Sequence, residues 1–290
     1  MFASLNDYID QLLEAICVVD KDGTFLQLSS GCERLFGYSI DELIGKSMLD
    51  LIHPDDRERT LQAATDIMAG NHKIDFENRY IRKDGQIAHL QWRARWVPEL
   101  QVRIAVARDI TQHKMMLEHL QKIAFYDNLT GLPNRELFLD RLQQAIARSR
   151  REHQTHSALI ALMFIDIDKF KAVNDNYGHQ AGDQVLINVA QRLQHSVRET
   201  DTLARFGGDE FVILLDGADA CANAEQIAEK ILHELASPLQ FGLESFVVSA
   251  SIGIAYYLDP LQNAIEFLHQ ADIAMYQAKT AGGQSFRIAH

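Results

Sequence analysis

Residues 205–211 read Arg-Phe-Gly-Gly-Asp-Glu-Phe, and the apolar run Val-Ile-Leu-Leu follows at residues 212–215. Two adjacent glycines between two short β-type segments are typical of a tight hairpin, because such a loop needs positive φ where a Cβ would clash. Asp209 and Glu210 are therefore predicted at the hairpin tip. They either line an open acidic notch that binds a cation, or they are solvated acids beside an ordinary turn.

The overall composition limits the classes of function. A length of 290 residues is enough for two domains, each with its own core. The net charge of −12 argues against a nucleic-acid partner, which would require a basic face, so an anionic ligand needs local cations or a metal ion. The N-terminus lacks a basic stretch that leads into an apolar one, and no apolar run reaches membrane-spanning length. We expect a cytoplasmic protein without a membrane partner.

The first hundred residues alternate between short strand and helix patterns. An amphipathic helix with Leu5, Ile9, Leu12 and Leu13 at helical spacing precedes two strands that an Asp-Gly turn joins at residues 22–23. Short helices are expected next, the longest at residues 55–69. Alternating apolar residues then predict three more strands, at residues 74–80, 88–96 and 102–107.

Four segments within this region resemble a PAS domain. They are Leu35-Phe36-Gly37-Tyr38-Ser39, His53-Pro54-Asp55-Asp56, Arg82-Lys83-Asp84-Gly85 and Ala107-Arg108-Asp109-Ile110-Thr111. The resemblance implies a five-stranded antiparallel sheet with helices over a cavity, in a domain of residues 1–110 used for sensing or dimerisation. The ligand of this PAS domain stays unknown, because the segment expected of a flavin photoreceptor is absent and the helix at residues 55–69 has no histidine.

A linker helix is predicted at residues 111–126. Met116, Leu120 and Ile123 recur at spacings of four and three, which is the seam of a short two-helix coil. A linker helix packed on its own domain has the same pattern. The helix is expected to end near Asp127, where an Asn-Leu-Thr-Gly-Leu-Pro-Asn segment interrupts it.

The second domain, residues 127–290, alternates helices and strands. Residues 156–165 are almost continuously apolar, which predicts a strand buried on both faces, and Asp166-Ile167-Asp168 follows it. Helices are expected at residues 169–176, 180–197, 220–235 and 261–281, with a strand pair ending at 247–257. Carboxylates after the buried strand and at the hairpin would meet at one sheet edge, where Mg²⁺ or Mn²⁺ could neutralise them. Asp168 is expected instead to cap the following helix.

Several motifs of this domain, in this order, resemble a GGDEF-domain diguanylate cyclase. Beside residues 205–211, they are the segment 127–135, Asp166–Lys171, Asn174-Asp175, Gly178-His179 and Gly182-Asp183. The resemblance implies a palm-like α/β domain that condenses two GTP into cyclic di-GMP and two pyrophosphates. It also implies a homodimer, because each domain holds one GTP and the two must face each other.

The resemblance assigns roles to individual residues. Asp166, the Ile167 carbonyl and Asp209 would bind Mg²⁺ or Mn²⁺, and either Asp209 or Glu210 would accept the proton of the attacking hydroxyl. Asn174 and Asp183 would read guanine, although each could be a helix cap. The remaining substrate-binding positions are Phe170, Lys171, Lys279, Leu132, Leu186, Gly207 and Gly208. Leu132 and Leu186 could equally be core residues, and the two lysines solvated surface residues.

Four further positions concern phosphate binding and regulation. Gly283 stands where many members of the family have an arginine, so a bidentate phosphate donor is missing. Arg198 and Asp201 match the family's Arg-x-x-Asp product-inhibition motif, and Lys230 could add a charge there. A plain surface ion pair is the alternative for Arg198 and Asp201. The sequence thus predicts a PAS-regulated diguanylate cyclase, with a nucleotide-binding signalling module and a PAS scaffold as rival functions.

Overall fold

A computed structural model describes residues 14–70, 75–152, 160–217, 220–241, 244–259 and 261–289. The chain divides into two compact units, Met1–His119 and Leu120–His290. The amphipathic helix expected around Leu5 to Leu13 lies outside the described residues, as do Ile74 and the first residues of the strand expected from residue 156. Each unit is described by itself below.

The described part of the N-terminal unit contains five strands and three α-helices, and a fourth α-helix begins in it. The strands are β1 (Ala15–Asp20), β2 (Phe25–Leu28), β3 (Phe76–Ile81), β4 (Ile87–Val97) and β5 (Val102–Asp109). The α-helices are α1 (Ser30–Phe36), α2 (Ile40–Leu43), α3 (Arg57–Met68) and α4 (Thr111–Phe125), with 3₁₀ turns at Met48–Asp50 and Pro54–Asp56. The strands form one antiparallel sheet in the order β2-β1-β5-β4-β3.

One face of this sheet forms the core of the N-terminal unit. Ala88, Leu90 and Trp92 alternate along β4 and are all buried, as the sequence pattern predicts. The Trp92 indole donates a hydrogen bond of 2.8 Å to the Asn78 carboxamide, so the buried N–H has a partner. The helices between β2 and β3 pack on this face through Phe36, Leu43 and their neighbours.

The C-terminal unit is a second α/β structure. Its strands are β6 (Ile160–Ile167), β7 (Thr202–Gly207), β8 (Glu210–Asp216), β9 (Leu239–Phe241), β10 (Glu244–Phe246), β11 (Ala250–Tyr256) and β12 (Ser285–Ile288). Its helices are α5 (Arg135–Glu152), α6 (Phe170–Tyr177), α7 (His179–Ser196), α8 (Ala220–Leu235) and α9 (Ala264–Thr280). The described residues form a five-stranded sheet in the order β12-β11-β6-β8-β7 and a separate β9-β10 pair.

The central strand β6 explains the core of this unit. All eight of its residues are buried, which confirms the prediction of burial on both faces. Ala161, Met163 and Ile165 join a core cluster with α7 and α8. Ile160, Leu162 and Phe164 point the other way and pack in a cluster with α5 and α9. Helices thus cover both faces of the sheet, and the predicted mixed α/β class is confirmed.

The strand β12 has no counterpart in the sequence predictions. It pairs with β11 in parallel, with Ser251 opposite Ser285 and Ile254 opposite Ile288. Four residues that include an arginine are too short for a reliable period-two pattern. The strand exists because the loop after α9 returns the chain to the edge of the sheet.

A partly buried ion pair between Arg79 and Asp56 connects β3 to the turn before α3. Both carboxylate oxygens of Asp56 accept from Arg79, whose Nη2 lies 2.9 Å away and whose backbone N–H lies 2.7 Å away. The Asp56 side chain is 6 % exposed, and Arg59 contacts it as well at 3.3 Å. Asp56→Asn is expected to lower the free energy of unfolding of this unit by about 1.5–3 kcal/mol, the range for hydrogen bonds to a charged group.

The measurement uses the fluorescence of the two tryptophans, Trp92 and Trp96, during urea unfolding, because both lie in the N-terminal unit. Asp55→Asn is the control, since the Asp55 side chain is 70 % exposed and its ion pair with Arg79 is weak. Equal losses in the two variants would contradict the importance of the Asp56 pair.

The contribution of Asp56 also has a defined pH dependence. Hydrogen bonds from Arg79 hold the pKa of Asp56 well below its usual value, against the opposing effect of burial. A lowered pKa gives stability that is complete above the unfolded-state pKa of about 3.9 and is lost as the pH falls through the folded-state pKa. The stability difference between wild type and Asp56→Asn should therefore hold from pH 7 to about 5 and shrink below about 4.

Candidate functional site

The hairpin of residues 205–211 turns at Gly208-Asp209. Gly207 still pairs with Glu210 as the last residue of β7, after an irregularity in register that begins at Arg205. The sequence predicts positive φ in a loop formed by both glycines. In the structure Gly208 has positive φ, at 49°, and Gly207 does not. A Cβ at either glycine would have no atom within 4 Å, so the space beside the turn is open.

The hairpin brings its carboxylates next to the end of β6. Asp166 is opposite Glu210 in the register of β6 and β8, and the Ile167 N–H donates to the Asp209 carbonyl at 3.2 Å. Burial and the nearby carboxylates Asp166 and Asp209 raise the pKa of Glu210. The structure thus gathers the three predicted acids at one edge of the sheet.

Lys279, near the end of α9, supplies a cation to this acidic cluster. Its Nζ lies 2.6 Å from Oδ1 of Asp166, which is 6 % exposed. Burial raises the pKa of Asp166, and the charges of Asp209 and Asp168 add to this while Lys279 opposes it. The family resemblance implies a phosphate contact for Lys279, whereas the structure pairs it with a carboxylate.

The prediction that Asp168 caps the helix after β6 is wrong. Helix α6 begins after Lys169, without a side-chain cap. The Asp168 carboxylate instead accepts from the hydroxyls of Ser249 and Ser251, each at 2.7 Å, and from the Gln284 N–H at 2.9 Å. Partners about 80 and 116 positions away could not be found from local sequence.

Gly283 lies against this same carboxylate. Its φ is 74°, and a Cβ there would lie 2.7 Å from Oδ2 of Asp168. The position therefore requires glycine for two independent reasons, positive φ and close approach. The bidentate phosphate donor that is missing at this position therefore cannot be restored by a simple Gly283→Arg substitution.

A close helix contact places Asn174 against Gly182, the residue before Asp183. Oδ1 of Asn174 on α6 would be 2.0 Å from a Cβ at Gly182, so the missing side chain of Gly182 makes room for the carboxamide. Asp183 follows Gly182 directly on α7 and is exposed. Neither Asn174 nor Asp183 caps a helix, because Asn174 lies within α6 and Asp183 within α7.

The remaining predicted substrate positions differ in burial. Leu132 and Leu186 are 6 % and 2 % exposed and belong to the core cluster. Phe170 is half-buried and packs on the edge of that cluster, while Lys171 is exposed.

Arg205 connects the hairpin to the segment after α4. Its Nη1 lies 3.0 and 3.1 Å from the two oxygens of Asp127, and its Nη2 donates to the Gly208 carbonyl at 2.7 Å. Its backbone N–H donates to the Pro133 carbonyl at 3.0 Å. Arg205 and Asp127 are 78 positions apart, so local sequence patterns do not predict this pair.

Asn134 joins the end of α4 to the start of α5. Its Nδ2 donates to the Ala124 carbonyl at 2.8 Å, and its Oδ1 accepts from the Leu137 N–H at 3.1 Å. Its backbone N–H donates to the Phe125 carbonyl at 2.9 Å. One side chain therefore terminates one helix and caps the next.

Arg198 and Asp201 lie in the turn between α7 and β7. The Arg198 backbone N–H donates to Oδ2 of Asp201 at 2.8 Å, and both residues line a cavity of about 600 Å³ that also includes Leu132. Lys230 is on α8 and donates to the His195 carbonyl at 2.9 Å.

Two absences concern only the part of the chain that the structure describes. No group of three or more His, Cys, Asp or Glu side chains is arranged to hold a metal ion. The predicted metal ligands are two carboxylates and a carbonyl, which need oxygens from a bound substrate or water to complete the coordination. Nor does any described helix have the length and apolar character needed to cross a bilayer.

Comparison with known families agrees with this geometry. The model of the diguanylate cyclase GGDEF domain matches residues 124–285, which is more than half of the chain. The chain belongs to the GGDEF family. A model of the PAS fold matches residues 25–104. The predicted order, a PAS domain followed by a GGDEF domain, is therefore confirmed.

Two relatives match a little over half of this chain. The bifunctional diguanylate cyclase/cyclic di-GMP phosphodiesterase MucR from Pseudomonas aeruginosa is 46% identical over 167 residues, or 58% of this chain and 24% of MucR. Diguanylate cyclase TpbB from the same species is 42% identical over 167 residues, or 57% of this chain and 38% of TpbB. The chain thus spans about a quarter to two fifths of the length of these relatives.

Solved structures give the same fold. The GGDEF domain of TpbB superposes with a TM-score of 0.53 at 42% identity and covers 57% of this chain and 94% of that domain. The coiled coil and GGDEF domain of DgcB from Caulobacter crescentus, in complex with c-di-GMP, gives a TM-score of 0.57 at 29% identity. That match covers 62% of this chain and 93% of the DgcB chain.

The contact between Gly283 and Asp168 gives a test in this GGDEF domain. Gly283→Ala is expected to lower the free energy of unfolding by more than the roughly 1–2 kcal/mol that positive φ alone costs a residue with a Cβ. The added Cβ must displace a carboxylate that three hydrogen bonds hold. Far-UV circular dichroism measures the unfolding of this domain, because both tryptophans lie in the N-terminal unit.

Gly131→Ala is the matched control for this variant. Gly131 has a similar φ of 71° in the same domain, but nothing lies within 4 Å of its added Cβ. The loss at Gly131 therefore measures the cost of φ, and the difference between the variants measures the clash. A loss at Gly283 no greater than that at Gly131 would contradict the clash with Asp168.

Proposed function

We propose that this GGDEF protein is a diguanylate cyclase regulated by its PAS domain, which condenses two GTP into cyclic di-GMP and two pyrophosphates. The arrangement of Asp166, Asp209 and Glu210 around the open hairpin carries the proposal. Triphosphate substrates need an acidic site that can share a cation with phosphate oxygens. A merely structural hairpin has no need of three acids so close that, besides burial, the charge of Asp209 raises the pKa of both Asp166 and Glu210.

The reaction forms one phosphodiester bond for each GTP consumed. The 3′-hydroxyl oxygen of one GTP attacks the α-phosphorus of the other, the bond from that phosphorus to the bridging oxygen breaks, and pyrophosphate leaves. Two such steps close the ring. Either Asp209 or Glu210 is proposed to accept the hydroxyl proton, because both carboxylates lie at the hairpin beside the end of β6.

Asp166, Asp209 and the Ile167 carbonyl are proposed to hold Mg²⁺, with Mn²⁺ as the alternative. All three offer oxygen, which hard divalent cations prefer. The pairing of Lys279 with Asp166 supports this assignment, since it shows that a cation can reach this cluster of acids. Such a metal ion, when bound, neutralises charge on the phosphate oxygens. Lys279 is proposed to contact phosphate once substrate is present, and Lys171 to add a second contact.

Guanine specificity is assigned to Asn174 and Asp183. Guanine presents adjacent N–H donors that one carboxylate can accept, whereas adenine lacks that pair. The carboxamide of Asn174, held beside Gly182, would serve the neighbouring acceptors of the base. Leu132, Leu186 and Phe170 would form the apolar wall of the base site, and Gly207 and Gly208 leave room for the nucleotide backbone.

The enzyme is proposed to act as a homodimer, because each GGDEF domain holds one of the two GTP molecules. Helix α4 supports this proposal through a row of exposed apolar side chains. Its Met116, Leu120 and Ile123 are 65, 51 and 48 % exposed. Pairing with the same helix of a second copy would bury them at the spacing of a two-helix coil.

Asp209→Asn is expected to lower cyclic di-GMP synthesis by about a hundredfold or more. The substitution keeps the shape of the side chain but removes a negative charge from the metal site, where one preorganised electrostatic group typically contributes that much. Turnover of GTP with Mg²⁺ is measured by chromatography of the product, and circular dichroism checks the fold.

Glu225→Gln serves as the control for charge removal, since Glu225 is an exposed acid on α8. It should retain wild-type turnover. A cyclase rate near normal in Asp209→Asn would refute the metal assignment. Absence of turnover in the wild type, together with tight GTP binding in a titration, would favour a nucleotide-binding signalling module, and absence of both would favour a PAS scaffold.

Product inhibition is proposed to act through Arg198 and Asp201, with Lys230 adding charge from the same or a partner subunit. The exposed guanidinium of Arg198 is suited to bind a phosphate or the Hoogsteen edge of guanine, and the carboxylate of Asp201 can accept from the base. The cavity of about 600 Å³ beside them supports the proposal, because it offers room for a base.

Arg198→Ala is expected to remove the slowing of the reaction as cyclic di-GMP accumulates, with an initial rate close to that of the wild type. The comparison titrates added cyclic di-GMP against initial rate. Arg151→Ala removes another exposed arginine, at the end of α5, and should keep wild-type inhibition. Superimposable inhibition curves for Arg198→Ala and wild type would exclude this role.

A further inference from the structure

The N-terminal unit encloses a cavity of about 50 Å³ between its sheet and helix α3. Its walls are mainly apolar and include Val19, Phe25, Ile67 and Trp92. A space of this size corresponds to about four water-sized volumes. It is therefore large enough for a molecule of a few non-hydrogen atoms.

One charged side chain faces this apolar space. Arg103 is on β5, 4 % exposed, and it lines the cavity. Its Nη2 donates to the thioether sulfur of Met48 at 3.3 Å, and its Nη1 has no hydrogen-bond partner among the described residues. A thioether is a weak acceptor, so most of the hydrogen-bonding capacity of the guanidinium is unused.

Carboxylates near this arginine are engaged elsewhere. No described carboxylate oxygen is recorded within ion-pair distance, 4.0 Å, of Arg103. Asp20 acts on it only at longer range, and Oδ1 of Asp20 accepts from the backbone N–H groups of Asp22 and Thr24. Burial lowers the pKa of Arg103. An arginine nevertheless stays charged in proteins, so the cavity contains a cation without a counter-ion.

Three other polar groups of the cavity, on Asn78, Thr60 and Trp92, already have hydrogen-bond partners. Asn78 donates from Nδ2 to the Thr60 hydroxyl at 3.0 Å and accepts from the Trp92 indole at 2.8 Å. The Thr60 hydroxyl in turn donates to the Asp56 carbonyl at 2.6 Å. Arg103 is thus the group in this cavity with donors to spare, and they call for an anionic acceptor.

We propose that the cavity binds a short-chain monocarboxylate, of the size of acetate or propionate, with its carboxylate on Arg103. A planar carboxylate matches the fork of N–H donors in a guanidinium. Its short alkyl group then fills the space between the apolar walls. A multiply charged phosphate is disfavoured because one arginine would leave part of its charge buried and unpaired. Chloride would leave the apolar space unfilled.

The test uses the full chain and propionate. Thermal unfolding is followed by tryptophan fluorescence, which reports the N-terminal unit and includes Trp92 in the cavity wall. Sodium propionate is titrated against sodium chloride at the same ionic strength and pH, with propionamide as the uncharged isostere. We expect propionate to raise the unfolding midpoint in a saturable way and by more than chloride does. Propionamide should not raise the midpoint.

Arg103→Met removes the charge and keeps an unbranched apolar side chain, so the propionate shift should disappear. Arg95→Met is the matched control, because Arg95 is an exposed arginine on the neighbouring strand β4, and it should keep the full shift. Equilibrium dialysis of radiolabelled propionate with the unaltered protein provides a second measurement that does not depend on the variants folding. Saturable binding that unlabelled propionate displaces and propionamide does not is expected.

The proposal is overturned if dialysis shows no saturable binding, or if propionamide competes equally well. It is also overturned if chloride gives the same saturable shift, or if a folded Arg103→Met keeps the shift. None of these readouts depends on cyclase activity, so the inference stands or falls separately from the proposed function.

Discussion

The interactions of Arg205 hold the candidate site together. Its guanidinium contacts both oxygens of Asp127 and the Gly208 carbonyl, and its backbone reaches Pro133. The two side chains are 13 and 23 % exposed, so this ion pair is screened less than a surface pair. Although burial opposes it, hydrogen bonds from Thr130 and Arg205 lower the pKa of Asp127, which keeps this partner charged. The turn that carries Asp209 therefore has a fixed position relative to the end of β6.

Fixing that position has an electrostatic cost. Asp166, Asp209 and Glu210 repel one another in a partly buried place, and the raised pKa values of Asp166 and Glu210 reflect both the burial and this repulsion. The core clusters on both faces of β6 supply the stability that tolerates it. Lys279 offsets part of the charge from a separate helix. The site is thus a locally unfavourable arrangement that a well-packed sheet supports.

The sequence predicted the features that depend on local pattern. The apolar run of β6 required burial on both faces, the alternation along β4 identified its inner side, and the glycines located the hairpin turn within one residue. Features that depend on distant partners were not predictable. The local sequence favours a helix cap for Asp168, because its serine partners lie some 80 residues later and leave no local pattern. The burial of Arg103 was not predictable, because period-two alternation cannot show that a charged residue faces the core. Strand β12 was too short to show a period.

The bonds of Asn134 have a mechanical consequence for helix α4. Because this residue binds the last turn of α4 and also caps α5, and Arg205 holds the intervening turn, the two helices are joined without a flexible hinge. The apolar side chains of Leu120 and Ile123 therefore keep a set angular phase about the helix axis relative to the hairpin. Adding or removing one residue between Ile123 and the end of α4 would rotate these two side chains by about 100° about the helix axis, since the helix has about 3.6 residues per turn. The number of residues in this helix, and not only its composition, thus determines the direction in which its apolar side chains face relative to the hairpin.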